Sequence, residues 1–150
     1  MKTTTLIESP FANLGNIRRA LEDAGAAVTV TADPERIGES DSVVLPGVGS
    51  FAPAARWLRD SGVASGMIQA RDRGAAILGI CVGHQLLFDS SEEGGSEAGL
   101  GFIHGRVRRF AGGLPVPQIG WNRVSLAPDP LFEGIGDGTS FYFVHSYHAT

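Results

Sequence analysis

A short apolar segment followed by alternating glycines constrains this chain more than any other feature of its sequence. Residues 75–80 read Ala-Ala-Ile-Leu-Gly-Ile, an uncharged run typical of a strand that is buried on both faces. Residues 85–88, Gln-Leu-Leu-Phe, predict the opening of a helix whose apolar side chains face a core. Between the two lie Gly79, Cys81 and Gly83. Small residues on both sides of one side chain permit a sharp backbone turn, so the segment predicts a strand–turn–helix unit.

Cys81 occupies the position of the reactive residue in this turn. The pattern G-x-C-x-G is the thiol counterpart of the G-x-S-x-G nucleophile elbow. A sulfur at a helix N-terminus lies near unpaired N–H groups, which favour the thiolate and can stabilise an oxyanion. The alternative is a buried structural cysteine, because free cysteines are commonly buried and unreactive. The complete elbow pattern favours the nucleophile, and Cys81 is therefore the candidate catalytic residue.

Length and composition indicate one globular domain spanning residues 1–150, without a linker to divide it. Hydrophobic residues make up 43% of the chain and charged residues 19%, and the net charge of −4 argues against nucleic acid as the main partner. A single cysteine excludes an intrachain disulfide and a cysteine-based zinc cluster. The sequence shows no signal peptide and no long apolar run, so we expect a cytoplasmic protein that does not contact a membrane.

Strands and helices alternate through the first part of the chain. Strands are predicted at residues 4–7, 27–30, 41–45 and 75–80, and helices at residues 17–24, 54–58 and 67–73. This alternation predicts an α/β fold of the flavodoxin-like, doubly wound type with a mostly parallel sheet. Because ligands bind beyond the carboxyl ends of such strands, Asn13, the loop 46–49 and Cys81 are expected to gather at one rim.

The remainder of the chain has a different character. Residues 90–101 are polar and glycine-rich, which predicts a surface loop. Residues 102–110, 116–126 and 141–145 predict strands of a more antiparallel C-terminal portion, the last of them from its aromatic and β-branched content.

Four stretches resemble a known family. Residues 79–85, Gly-Ile-Cys-Val-Gly-His-Gln, are similar to the nucleophile motif of class I (triad-type) glutamine amidotransferases. Residues 45–51, Leu-Pro-Gly-Val-Gly-Ser-Phe, resemble the oxyanion loop of that superfamily. Residues 117–122, Pro-Gln-Ile-Gly-Trp-Asn, and residues 141–147, Phe-Tyr-Phe-Val-His-Ser-Tyr, resemble one branch, the glutaminase subunit of imidazole glycerol phosphate synthase in histidine biosynthesis. The stretches follow the family's order through nearly the whole chain.

The resemblance implies a reaction and a set of site residues. Glutamine is hydrolysed to glutamate and ammonia through a Cys81 thioester, with the backbone N–H groups of Val48 and Val82 as oxyanion donors. The residues implied to hold the substrate glutamine are Gly49, Gln85, Glu93, Ser146 and Tyr147. No metal or organic cofactor is implied.

The resemblance also implies a partner. Ammonia passes to a (β/α)8 cyclase subunit, with which the chain forms a heterodimer. Asn13, Trp121 and Tyr142 match partner-facing positions, although the two aromatic residues are equally compatible with a core.

A general base is missing from the recognised motifs. The family carries it in a His-Pro-Glu motif beyond the His-Ser-Tyr strand, and no His-x-Glu occurs in residues 1–150. Of the four histidines, His84 is expected to pack, His104 to lie in a loop or strand, and His145 is the alternative base, while His148 has no assigned role. We expect a truncated portion of a longer subunit; the alternative is a natural short form that lacks hydrolysis.

Two other functions stay open on sequence alone. One is a glutaminase subunit of a different synthase, against which the stretches 117–122 and 141–147 argue. The other is a non-catalytic flavodoxin-like binding module, which the missing base keeps possible.

Overall fold

The computed structural model describes residues 3–113 and 115–150. Their contacts divide the chain into two compact units. The first unit contains the chain up to Arg108 together with Ala149 and Thr150, and the second contains Arg109–His148.

A parallel four-stranded sheet forms the centre of the first unit, as predicted. Its strands lie in the order β2-β1-β3-β4, with β1 at Thr3–Ile7, β2 at Ala27–Thr31, β3 at Ser42–Gly47 and β4 at Ala76–Cys81. The helices between them are α1 at Leu14–Asp23, α2 at Pro34–Gly38, α3 at Phe51–Asp60 and α4 at Val63–Asp72. The predicted alternation of strands and helices is confirmed through β4.

Local capping explains where the first helices begin. The side-chain oxygen of Asn13 accepts a hydrogen bond from the N–H of Asn16 at the start of α1. Gly25, with φ of +90°, follows the end of this helix. Asp33 accepts the N–H of Glu35 at the start of α2. These residues are short-range signals that favour the start of a helix at each position.

The hydrophobic core cluster lies on one face of this sheet, while Leu6 and Val44 are buried on the other face. It combines Val43 and Leu45 of β3 with buried side chains of α2, α3 and α4. The expectation that β4 is buried on both faces is wrong. Ile77 packs against the core, whereas Leu78 points to the other face and is 42% exposed. Within the described residues β4 lies at the edge of the sheet, and no core cluster covers its second face.

The predicted helix after the elbow is also misplaced. Helix α5 spans only Val82–Gln85, and strand β5 begins at Phe88 and ends at Ser91. Leu86 and Leu87 are buried as expected, but their carbonyl groups accept backbone N–H groups from residues 100, 102 and 103. These long-range bonds replace the bonds that a continuing helix would make.

The segment predicted as a surface loop contains two strand pieces. Residues 90 and 91 belong to β5, and β6 at Glu97–Ala98 pairs with it antiparallel. Strand β7, at Ile103–Arg109, pairs with β5 in parallel, so its predicted antiparallel character is wrong for this pairing. Together with β10, at Tyr147–Ala149, these strands form a sheet in the order β10-β7-β5-β6.

An antiparallel ribbon dominates the second unit. Strands β8, at Gln118–Arg123, and β9, at Ser140–His145, pair over their whole length. A short 3₁₀ helix at Pro130–Phe132 lies in the connection between them. The predicted antiparallel C-terminal strands are confirmed here.

Candidate active site

Cys81 lies at the junction of β4 and α5 in a strained conformation. Its φ of 55° and ψ of −118° make it the one non-glycine residue with positive φ among residues 3–113 and 115–150. Such a conformation costs of order 1–3 kcal/mol and is typical of functional turns. The thiol is exposed. An exposed, strained cysteine between a strand and a helix has the geometry of the predicted elbow, and not that of a buried structural cysteine.

The flanking glycines are sterically required. A Cβ at Gly79 would overlap the backbone of His84, and a Cβ at Gly83 would overlap the Leu45 carbonyl oxygen. The backbone of α5 therefore packs directly on β3 and β4, at a distance that only glycine permits.

The predicted oxyanion loop lies beside Cys81. Gly47 pairs with Cys81 in the register of β3 and β4, and a Cβ at Gly47 would lie 2.9 Å from the Gly83 nitrogen. The next glycine, Gly49, has φ of +90° and leads into α3. The two loops converge at the carboxyl end of adjacent parallel strands, as the sequence predicted.

The loop after β1 also reaches this rim, because the backbone N–H of Val48 donates to the Phe11 carbonyl. This bond brings the segment before Asn13 to the oxyanion loop. It also means that the N–H of Val48 is already engaged. Val82 is the first residue of α5, and the first N–H groups of a helix have no acceptor within it.

Three of the five predicted substrate residues lie in the same unit, among them Gly49 of the oxyanion loop. Gln85 is half-buried at the last residue of α5, one turn after the nucleophile position. Glu93 is half-buried in the loop between β5 and β6, and its Oε2 accepts the backbone N–H of Phe51 at 2.9 Å. No pattern in the sequence predicts this contact, which joins residues 42 positions apart.

Ser146 and Tyr147, the other two predicted substrate residues, belong to the second unit. Beside them, the ring of His145 makes two hydrogen bonds. Its Nδ1 lies 2.9 Å from the Tyr147 carbonyl oxygen, and its Nε2 lies 2.7 Å from Oε1 of Gln118. Since a carbonyl oxygen only accepts, Nδ1 donates the first of these bonds.

The other histidines match structural roles. His84 packs edge-on against Phe88, with ring centroids 5.2 Å apart, and partial burial lowers the pKa of its imidazole. His104 is fully exposed, with Nδ1 3.6 Å from Oδ2 of Asp89. His148 stacks on Phe110 with centroids 4.6 Å apart. The packing predicted for His84 and the strand position predicted for His104 are confirmed.

One face of the β8–β9 ribbon carries large exposed apolar side chains. Trp121 is 72% exposed and Tyr142 55%, and the two rings pack edge to face with centroids 5.5 Å apart. Ile119 and Val144, directly paired in the ladder, extend the same face. The interpretation of Trp121 and Tyr142 as core aromatics is therefore wrong. Sequence reasoning missed Ile119 and Val144, although the two-residue alternation of each strand could have identified them.

The described residues hold neither a metal-binding cluster nor a membrane-spanning helix. Within residues 3–113 and 115–150, no group of three or more His, Cys, Asp or Glu side chains is arranged to hold a metal ion. In the same ranges, no helix has the length and apolarity needed to cross a membrane.

Comparison with known sequences agrees with this geometry. Residues 4–108 match the family of CobB/CobQ-like glutamine amidotransferase domains. The HisH subunit of imidazole glycerol phosphate synthase from Moorella thermoacetica is 45% identical over 149 residues, which cover 99% of this chain and 71% of that protein. The HisH subunit from Methanosarcina mazei is 43% identical over 150 residues, covering 99% of this chain and 73% of that protein.

Solved structures share the fold. A putative GMP synthase protein from Thermoplasma acidophilum aligns with a TM-score of 0.70 at 19% identity, over 99% of this chain and 67% of that one. A second structure, a glutamine amidotransferase, aligns with a TM-score of 0.68 at 19% identity, over 95% of this chain and 70% of that one. By the identity and coverage of its sequence relatives, the chain belongs to the glutamine amidotransferase family, in the branch of the HisH subunits of imidazole glycerol phosphate synthase.

Proposed function

We propose that Cys81 attacks the side-chain amide of glutamine and that the released ammonia serves a synthase partner. The observation that carries this proposal is the backbone conformation of Cys81, which presents an exposed thiol at the rim where the oxyanion loop also ends. Family membership supplies the reaction class.

The proposed chemistry has two steps. The Cys81 thiolate adds to the amide carbon of glutamine, the carbon–nitrogen bond breaks, and the nitrogen leaves as ammonia after accepting a proton. Water then adds to the resulting thioester, and glutamate leaves as the sulfur regains the bonding electron pair. Each addition places negative charge on the former carbonyl oxygen, which N–H donors must stabilise.

The two N–H groups proposed as oxyanion donors differ in the hydrogen bonds that they make. Val82 lies at the start of α5, directly after the nucleophile. Val48 contributes only after its bond to the Phe11 carbonyl is broken. Because the Val48 N–H is bonded to Phe11, the first oxyanion donor in this structure is the N–H of Val82 in the elbow.

The proposed substrate contacts are Gly49, Gln85, Glu93, Ser146 and Tyr147. A carboxylate at Glu93 suits the ammonium group of glutamine, and one of its oxygens stays available beside the bond to Phe51. The other contacts rest on the resemblance of their motifs to the family.

None of the histidines in residues 1–150 is proposed as the general base. No His-x-Glu occurs among them, and both ring nitrogens of His145 are engaged in hydrogen bonds. A base needs a nitrogen lone pair directed at the proton it removes, so these bonds argue against His145 in that role.

The proposed partner is a (β/α)8 cyclase that forms a heterodimer with the chain in the cytoplasm. The exposed face formed by Ile119, Trp121, Tyr142 and Val144 supports a protein contact, because large apolar side chains grouped on a surface commonly mark interaction sites. Asn13, by contrast, is used as the cap of α1, although its side chain is exposed.

The test separates the two half-reactions. In the complex of the complete subunit with the cyclase, Cys81→Ala should abolish synthesis from glutamine and leave synthesis from added ammonium salt unchanged. Glutamine-dependent synthesis at the normal rate in this variant would refute Cys81 as the nucleophile. Loss of both activities would place Cys81 in the structure of the complex and not in glutamine chemistry.

A further inference from the structure

The segment 93–97, which is the loop after β5 together with the first residue of β6, lies along helix α3 and contacts it at three successive points. Glu93 bonds the Phe51 N–H at the start of the helix. Gly94 lies against the first turn, where a Cβ would be 3.0 Å from the Cβ of Ala52. Further along, the two carboxylate oxygens of Glu97 accept hydrogen bonds from the guanidinium groups of Arg56, at 2.8 Å, and Arg59, at 2.9 Å. The segment therefore follows α3 for most of its length.

Helix α3 lacks a cap from its own sequence. Ser50 occupies the N-cap position with φ of −106° and ψ of 147°, but its side chain makes no capping bond. Pro53, in the first turn, has no N–H. Phe51 is fully buried, and a buried N–H without an acceptor is destabilising. The Glu93 carboxylate provides that acceptor from a distant part of the chain.

Glu93 is itself held in place. Its backbone N–H donates to the hydroxyl oxygen of Ser91 at 3.1 Å, and Ser91 is fully buried. The N–H of Glu92 donates to the Val107 carbonyl at 3.1 Å. The carboxylate is thus fixed by the strand that precedes it, as a positioning group requires.

The start of α3 is also the end of the oxyanion loop, because Phe51 follows Gly49 and Ser50 directly. The other end of that loop is fixed by the pairing of Gly47 with Cys81. We propose that Glu93 is a positioning residue, which caps α3 and thereby fixes the far end of the oxyanion loop beside Cys81. This inference rests on the proposed glutaminase function, and it adds a second task to a residue proposed there only as a substrate contact.

The two tasks of Glu93 respond differently to substitution. In Glu93→Gln the amide oxygen still accepts the Phe51 N–H, but the charge that suits an ammonium group is lost. In Glu93→Ala both the acceptor for the Phe51 N–H and the negative charge are lost. Adding Ser50→Asp to Glu93→Ala supplies a local cap that accepts the Ala52 N–H and so holds the start of α3, since the backbone of Ser50 already has the conformation of a cap residue.

The experiment uses the 150-residue chain and the alkylation of Cys81 by a chloroketone analogue of glutamine, with iodoacetamide as the reagent that needs no substrate pocket. We expect Glu93→Ala to lower the saturating chloroketone rate by roughly tenfold, the ratio that corresponds to losing one hydrogen bond to a charged group. Glu93→Gln should keep that rate and raise the half-saturating concentration. The double variant, Ser50→Asp with Glu93→Ala, should recover the saturating rate but not the half-saturating concentration. Glu92→Ala, which removes the same charge one position earlier, is the matched control.

Hydrogen exchange of the Phe51 amide gives an independent readout. It should accelerate in Glu93→Ala and not in Glu93→Gln or Glu92→Ala. The inference is overturned if Phe51 exchange is unchanged in Glu93→Ala, or if Glu93→Ala alters the half-saturating concentration alone. If Glu93→Ala does not fold, a roughly tenfold loss of the saturating rate in Glu93→Gln overturns the inference. Failure of the chloroketone to label wild-type Cys81 would refute the proposed function, and the exchange result would still decide whether Glu93 caps α3.

Discussion

The strained backbone at Cys81 leads to a prediction that reverses the usual effect of glycine. We consider Cys81→Gly and Cys81→Ala in the 150-residue chain. Alanine retains a Cβ and keeps the strain of a φ of 55°, whereas glycine adopts this conformation readily. The thiol is exposed, so its loss from the surface is shared by both variants and cancels in their comparison.

The magnitude follows from two opposing effects. Relief of the strained conformation stabilises the glycine variant by about 1–3 kcal/mol. The greater freedom of glycine in the unfolded chain destabilises it by roughly 0.5–1 kcal/mol. We therefore expect Cys81→Gly to be more stable than Cys81→Ala by about 1 kcal/mol, which corresponds to a Tm higher by ~2–4 °C for a chain of this size.

The assay is urea unfolding of both variants, followed by circular dichroism, with thermal unfolding as a second measurement. Ala20→Gly, at an exposed position in α1, is the control and should lose roughly 0.5–1 kcal/mol, as glycine does in an ordinary helix. If Cys81→Gly were less stable than Cys81→Ala by the amount seen in the control, the backbone of Cys81 would not be strained. The elbow geometry would then be refuted.

Three further predictions concern the same unit and the reaction. Gly83→Ala should lower the free energy of unfolding by about 3 kcal/mol, because its Cβ overlaps the Leu45 carbonyl, while Gly15→Ala, with open space around it, should be neutral or stabilising in urea unfolding. The two arginine partners of Glu97 hold the pKa of its carboxyl below the ordinary value of 4.5, so its contribution to stability is complete above that pH and is lost as the pH falls through the lowered pKa. The stability difference between wild type and Glu97→Gln should therefore be present at pH 7 and disappear in acid, and a difference that persists in acid would contradict this origin. Steady-state glutamate release by residues 1–150 with the cyclase should be slower by ~10²–10⁴-fold than by a chain extended with a His-x-Glu segment, and equal rates would show that a histidine already present acts as the base.

Sequence reasoning located the elbow because its signals are local. Gly79, Cys81 and Gly83 lie within five consecutive positions, and the requirement for small residues on both sides of a sharp turn depends on little else. The parallel sheet was predictable for a similar reason, since strands and helices alternate at regular spacing. The pairing of Gly47 with Cys81 then follows from adjacency of parallel strands.

The errors arise where distant residues decide the structure. Leu86, Leu87 and Phe88 fit a buried helix by composition, yet bonds from residues 100–103 draw their carbonyl groups into a strand connection. The burial of β4 depends on what covers the sheet, and no local pattern reports that. The contact of Glu93 with Phe51 spans 42 positions and combines a loop carboxylate with a backbone N–H, for which a sequence carries no signal.

The most direct test of Cys81 as the glutamine nucleophile is selective modification of the intact chain. The protein is treated with a limiting amount of a glutamine-like chloroketone, with and without excess glutamine, and the adduct is located by mass spectrometry. We expect one adduct on Cys81, faster than with iodoacetamide at equal concentration, and protection by glutamine but not by asparagine. Equal rates with the two reagents, or no protection by glutamine, would contradict a glutamine site at the elbow.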